Sequence, residues 1–256
     1  MPYVPYYFTE DKYTIRDPYP CRIHWTQAKT DREVIDSWRP IAGDIDSYKD
    51  LDSTYGKLTA IKQFKDKLIF WQEKATGILQ VNERTIVNDN DSKDIMLSVG
   101  EVGQRYDYIS TLYGMKENQR SFTNSDTTLY WWDGNKKEIV AHSNNYSSVP
   151  LSTTNNVKKY LISRNETRLP SLMYDYNNKE VVFNVVDGTD NNKESLVYNE
   201  VVKAFTSVYK FSPIWSCDME NKTIVTQDKL DDDLYFYNER SNSDSMLFNN
   251  KALPKI

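Results

Sequence analysis

The stretch 121-SFTNSDTTLYWWDGNKKEIVAHSN-144 reads as a single β-hairpin. Leu129, Tyr130, Trp131 and Trp132 make a bulky strand, and Glu138, Ile139, Val140 and Ala141 make its return. Asp133-Gly134-Asn135 supplies the turn, since Gly adopts positive φ and Asp and Asn hydrogen-bond their own backbone. The same design recurs in three other places. Leu68-Ile69-Phe70-Trp71 runs to a turn near Gly77 and returns through 78-ILQV-81. Val181-Val182-Phe183-Asn184 runs to Asp187-Gly188 and returns through 196-LVYN-199. Leu234-Tyr235-Phe236-Tyr237 leads through a polar loop to 246-MLF-248. Steps between Leu68, Leu129, Val181 and Leu234 are roughly 50 to 60 residues, the period of a propeller blade or another repeated β unit.

Composition supports that reading. The chain of 256 residues holds 19 Tyr, 9 Phe and 6 Trp, and aromatic residues suit a pleated, half-buried surface. Its 32 basic and 37 acidic residues are interspersed for a formal net charge of −5. No basic stripe marks a protein that works by neutralising phosphates. The apolar runs are about four residues long, far short of the ~20 that span a bilayer. The opening MPYVPYYFTEDK has neither a basic nor an apolar signal region, which points to synthesis in a cytoplasm. Cys21 and Cys217 lie far apart without a C-x-x-C and read as buried thiols.

Residues 1–20 set Pro2, Pro5, Pro18 and Pro20 among tyrosines and read as an extended Tyr/Pro arm. Arg22-Ile23-His24-Trp25 alternates like a short strand, and Val34-Ile35-Asp36-Ser37-Trp38 stops at Pro40. Gly100 and Gly103 read as turn residues, because no strand–loop–helix and no Gly-Lys-Ser/Thr accompanies them. The helical segment is 155-NNVKKYLI-162, where Val157, Tyr160 and Leu161 share a face and Ser152, Thr153 or Thr154 caps the start. Strands follow at 172-LMYDY-176, 204-AFTSVYKF-211 and 223-TIVT-226.

Four motifs in order, 68-LIFWQEKATGILQVNER-84, 103-GQRYDYISTLYG-114, LYWWDGNKKEIV and 196-LVYNEVVKAFTSVYKFSP-213, resemble the muzzle (nozzle-type) protein of crAss-like podoviruses. The opening RIHWTQAKTDREVIDSW is similar to that family as well, so the resemblance runs from about residue 21 to about residue 240. It implies a β-rich, propeller-like region of a virion structural protein at the distal end of the tail. It also implies a ring of copies around the channel through which DNA passes as cargo, in contact with other tail proteins. Family members are similar over part of a much longer polypeptide, so the resemblance makes this chain a fragment, a cleaved product or the product of a split gene, whose propeller need not be complete.

Candidate chemistry is sparse. Asp44, Asp46, Asp50 and Asp52 invite calcium, but the run lacks the central Gly and terminal Glu of an EF-hand loop. His24 and His142 have no metal-ligand spacing and no G-x-S-x-G elbow to serve. Asp175, Glu180 and Glu200 lie beside aromatic residues, the pattern of a glycan-cleaving pair, yet acids are ordinary at turns and strand ends. Trp71, Trp131 and Trp132 hold the same place in successive hairpins and read as core. Adjacent residues on a strand face opposite sides, so one of Trp131 and Trp132 is expected to leave the core face for a partner surface.

The sequence therefore predicts an all-β, propeller-like array of repeated antiparallel hairpins or blades with one short helix. Residues 1–20 are the arm and 21–256 the propeller-like domain. The expectation includes no catalytic, cofactor-binding or metal-binding residue and no membrane anchor. The resemblance makes the expected function subunit contact in a virion tail. A glycan-binding or glycan-cleaving propeller of a host-recognition appendage is the other reading, and release of oligosaccharide from host polysaccharide separates the two.

Overall fold

Aromatic and β-branched runs favour extended backbone, and among the described residues such runs pair in antiparallel ladders. The computed structural model describes residues 19–26, 48–80, 84–88, 94–98, 105–116, 120–143, 146–187, 194–209, 213–218, 224–228 and 234–237. Strands β1 (Arg22–His24) and β2 (Tyr48–Asp50) form a two-stranded ladder. The first four-stranded sheet holds β3 (Leu58–Phe64), β4 (Lys67–Gln72), β5 (Thr76–Leu79) and β8 (Tyr106–Ser110). Between β5 and β8 lies a separate ladder of β6 (Arg84–Asn88) and β7 (Asp94–Ser98). The second sheet is β9 (Phe122–Asn124), β10 (Thr128–Asp133), β11 (Glu138–Ser143) and β12 (Tyr146–Pro150). Two short helices, α1 (Leu151–Thr154) and α2 (Lys158–Ser163), lead to the third. That sheet is β13 (Glu166–Asp175), β14 (Glu180–Val186), β15 (Ser195–Asn199) and β16 (Ala204–Tyr209). A fourth holds β17 (Pro213–Asp218), β18 (Ile224–Asp228) and β19 (Leu234–Tyr237). The all-β, antiparallel expectation holds.

Leu68, Leu129 and Val181 stand on β4, β10 and β14, the second strands of three successive sheets. The first step is longer because the β6–β7 ladder is inserted before the last strand of the first sheet. Leu234 falls on β19, a third strand, so the fourth unit is one strand out of phase with the expected repeat. Gly77 is not a turn residue. It sits inside β5 opposite Phe70, and a Cβ there would stand 2.3 Å from the Phe70 ring. The expected single helix is two pieces, because Asn156 takes φ 59° and breaks the helical backbone between them. Ser152, expected as a cap, lies within α1 and accepts the Ile139 N–H at 2.6 Å. Residues 34–38, Asp44, Asp46, Gly100, Gly103 and 246–248 lie outside the described residues.

The first three sheets stack face to face. Ala60, Ile69 and Trp71 of the first sheet pack with Leu129, Trp131 and Val140 of the second. On the other face of the second sheet, Tyr130, Trp132, Ile139 and Ala141 pack with Leu172, Val181, Phe183 and Leu196 of the third. Cys21, Ile23 and Leu51 of the β1–β2 region cover the remaining face of the first sheet at Phe70 and Leu79. Trp131 and Trp132 do face opposite sides, as the pleat requires, but both are fully buried. The expected exposed indole is thereby corrected: a sheet sandwiched between two others has two core faces. The first strands of the second, third and fourth sheets lie side by side, with β13 between β9 and β17. The Leu172 N–H donates to the Arg120 carbonyl at 3.2 Å just before β9, and Ser216 Oγ of β17 donates to the Leu172 carbonyl at 3.5 Å.

Three hairpin turns share one construction. An Asx side chain accepts two N–H groups ahead of it, and a lysine in left-handed backbone closes the turn. Asp133 accepts from Asn135 and Lys136 at 3.0 and 3.1 Å before Lys137 (φ 51°). Asp175 accepts from Asn177 and Asn178 at 2.8 and 3.3 Å before Lys179 (φ 57°). Asn199 accepts from Val201 and Val202 at 3.0 Å each before Lys203 (φ 56°). Gly134 does not supply positive φ. Its role is close approach, since a Cβ would stand 2.6 Å from Glu166 Oε1.

Candidate functional site

The third sheet brings the three candidate acids to one end. Asp175 is opposite Glu180 in the β13–β14 ladder, Glu180 is opposite Asn199 in the next, and Glu200 follows in the β15–β16 turn. Each carboxylate already has a structural task. Asp175 is buried and takes the two turn N–H groups and the Asn178 amide at 2.8 Å. Glu180 accepts from the Tyr209 hydroxyl at 2.9 Å. Burial first, and then this acid, push the Tyr209 phenol up to about 12.

Glu200 has the densest set of partners. Its Oε1 accepts from Ser125 at 2.7 Å and Tyr130 at 3.1 Å on the second sheet. Its Oε2 accepts from Tyr174 at 2.6 Å on the third. Burial raises both phenols and the nearby carboxylate raises them further, so both stay neutral donors. This carboxylate is an inter-sheet tie, whereas the sequence offered it as a glycan-cleaving candidate or an ordinary strand-end acid.

Other polar groups play similar parts at the far end of the sheets. Gln72 is fully buried and follows the apolar run Leu68–Trp71 on β4, which is its visible signal. Its Nε2 donates to the Asp52 and Gly56 carbonyls at 2.9 Å each, and its Oε1 accepts from Tyr108 at 2.7 Å. Asp133 also accepts the Gly114 N–H at 3.2 Å, tying the connection between the first two sheets, and burial raises its carboxyl. Glu138 accepts from Lys158 and from Thr153, the latter at 2.7 Å. Trp132 Nε1 donates to Glu166 at 3.1 Å.

The remaining candidates are scattered. Asp50 forms a two-pronged pair with Arg22 at 2.6 and 2.8 Å, which lowers its carboxyl, and Arg22 lies between the Tyr19 and Tyr48 rings. Asp52 caps a short 3-10 turn, Ser53–Tyr55, through the Thr54 N–H at 2.9 Å, which lowers its carboxyl too. Cys21 is buried and donates to the Gly56 carbonyl at 3.2 Å, and burial raises its thiol. His24 is exposed against Tyr48. No group of three or more His, Cys, Asp and Glu is placed to hold a metal among the described residues, and none of their helices is long and apolar enough to cross a membrane.

His142 lies on the face of β11 that looks toward the first sheet, and its Nδ1 has no hydrogen-bond partner among the described residues. Burial, and then Lys67, lower its pKa below the ordinary 6.5. Between 6.5 and the lowered folded value the unfolded chain binds more protons, so stability falls as pH drops through that window. Denaturant midpoints at pH 7.5 and 5.5 should show a smaller loss for His142→Gln than for the natural chain. An equal loss in both would place the effect elsewhere.

These elements define a β-sheet protein whose buried acids and hydroxyls join sheet to sheet. The model of the crassvirus muzzle protein family matches residues 3–229, and the chain belongs to that family. The match takes in the N-terminal segment and ends somewhat before the expected limit near 240. No curated protein matches the chain. Membership points to a structural role in the virion tail and to contacts with other virion proteins.

Proposed function

We propose that the chain is a propeller-like structural element of the distal tail, and that copies of it form a ring around the DNA exit channel. The observation that carries this reading is the face-to-face stacking of the first three sheets, with β9, β13 and β17 side by side. Blades of a propeller are arranged in this way, with first strands toward the axis. The family resemblance supports the tail position, with residues 1–20 as an arm and 21–256 as the propeller-like domain. Its work is subunit contact rather than catalysis. The candidate acids support this, because each is occupied by hydroxyl or backbone donors. DNA is cargo in the channel, the other partners are tail proteins, and no cofactor is needed.

Electron microscopy of virions labelled against this protein should place the label at the distal tip of the tail, and purified protein should form rings with a central opening. Label on the capsid, or a protein that is monomeric at every concentration, would overturn the reading. Release of oligosaccharide from host polysaccharide would replace it with the glycan-cleaving alternative.

A further inference from the structure

The buried side-chain polar atoms without a hydrogen-bond partner among the described residues are Trp71 Nε1, Trp131 Nε1, Glu138 Oε2, His142 Nδ1 and Ser148 Oγ. They belong to one place in the fold. Trp71 and Trp131 pack together between the first and second sheets. Glu138 and His142 stand two residues to either side of Val140, which faces the first sheet, so the pleat turns both to that side. Ser148 precedes Val149, whose partner Ala141 faces the third sheet, so Ser148 also looks toward the first.

The other face of the same strands is a control. There Trp132 Nε1 donates to Glu166 at 3.1 Å, and the Tyr130 hydroxyl donates to Glu200 at 3.1 Å. Ser152 Oγ of α1 accepts the Ile139 N–H at 2.6 Å. One face of the second sheet is thus closed by direct hydrogen bonds, and the other gathers every unpartnered atom of the described residues. Buried polar groups of native proteins are nearly always satisfied, and where no protein group serves, an internal water does.

The mixture of groups selects the ligand. An indole N–H only donates, while a carboxylate oxygen only accepts. Lys158 and Thr153 hold Oε1 of Glu138, which leaves Oε2 as the inward acceptor. A cation has nothing to accept from the two indoles, and an anion has nothing to donate to the carboxylate. Water does both, and the His142 and Ser148 groups suit either part.

We propose that the space between the first and second sheets is a hydrated seam, in which ordered water accepts from the Trp71 and Trp131 indoles and donates to Glu138. The second and third sheets are then joined directly through Glu200, and the first and second are joined in part through water.

The natural chain, isotope-labelled at its indole nitrogens, tests this in solution. Water-selective nuclear Overhauser spectra should show dipolar cross-peaks from water to the Trp71 and Trp131 indole N–H groups, because a held water stays beside them. The Trp132 N–H, bonded to Glu166, should show none. Trp71→Phe, Trp131→Phe and Trp132→Phe assign the signals, each by the loss of one peak. A missing cross-peak at Trp71 or Trp131 overturns the proposal. An upfield-shifted N–H there would mean donation to a ring face instead, for Trp71 that of Trp131 or Phe122. An equally strong cross-peak at Trp132 removes the contrast between the two faces and overturns it as well. Should a variant fail to fold, a high-resolution crystal structure of the natural chain decides. Water density within about 3.2 Å of both Nε1 atoms is the expected result, and apolar contact alone around them overturns the proposal.

Discussion

Trp131→Ala and Trp132→Ala should each lower the free energy of unfolding by about 3–5 kcal/mol, the range for deleting a large buried aromatic side chain. The two indoles leave cavities in different places. Trp131 packs edge-on to Trp71, with centroids 6.0 Å apart, between the first and second sheets. Trp132 packs against Ile139 and Leu172 between the second and third sheets. Neither cavity can collapse easily, because each is lined from two sheets. Trp132→Ala also removes the donor to Glu166, but that acid keeps Lys116 at 3.5 Å, so the cavity dominates. Urea denaturation of the two variants measures the losses, and sedimentation of the folded fraction should show unchanged self-association. A variant that keeps its stability but loses assembly would place that indole on a partner surface, against the burial seen here.

The residues that made the fold legible are those whose local preference agrees with their tertiary place. β4, β10 and β14 are dense in aromatic and β-branched residues and are buried, so they stood out in the sequence. β9, β12 and β17 did not. Phe122-Thr123-Asn124 has no strong pattern of its own, and Pro213 reads as a terminator although it begins a strand. Their extended state comes from pairing with a neighbour, which is a long-range fact. Pro170 misleads in the same way. It falls within β13 where the register shifts between Glu166 and Ser171, the place where a strand tolerates a missing N–H. The Asx–lysine turns were half visible. D-G-N-K-K-E and D-Y-N-N-K-E are recognisable once aligned, while the left-handed lysine carries no local signal. Both faces of the second sheet being core was beyond reach, because covering a second face depends on sheets that fold elsewhere in the chain. The same limit applies to Glu200, whose partners are up to 75 residues away.

Glu200→Ala should cost about 2–5 kcal/mol, because three buried donors, and the exposed Thr127 hydroxyl at 3.5 Å, lose their acceptor together. Ser125, Tyr130 and Tyr174 are all buried, so water cannot readily replace the carboxylate. An unsatisfied buried donor costs about 1–3 kcal/mol, and the three are coupled through one group, so their losses do not simply add. Tyr174→Phe alone should cost about 1–3 kcal/mol, since it removes a hydroxyl bonded to a charged acceptor and leaves Glu200 its other partners. Glu200→Gln should fall between the alanine variant and the natural chain, as the amide keeps one acceptor and adds donors where only acceptors are wanted. A double-mutant cycle between Glu200→Gln and Tyr174→Phe should give a coupling of about 0.5–3 kcal/mol. Glu200→Ala tests the inter-sheet tie against a surface role, since a merely exposed acid would lose less than about 0.5 kcal/mol. A loss that small would mean that the second and third sheets are held together by the apolar contacts of Tyr130, Trp132 and Phe183 alone.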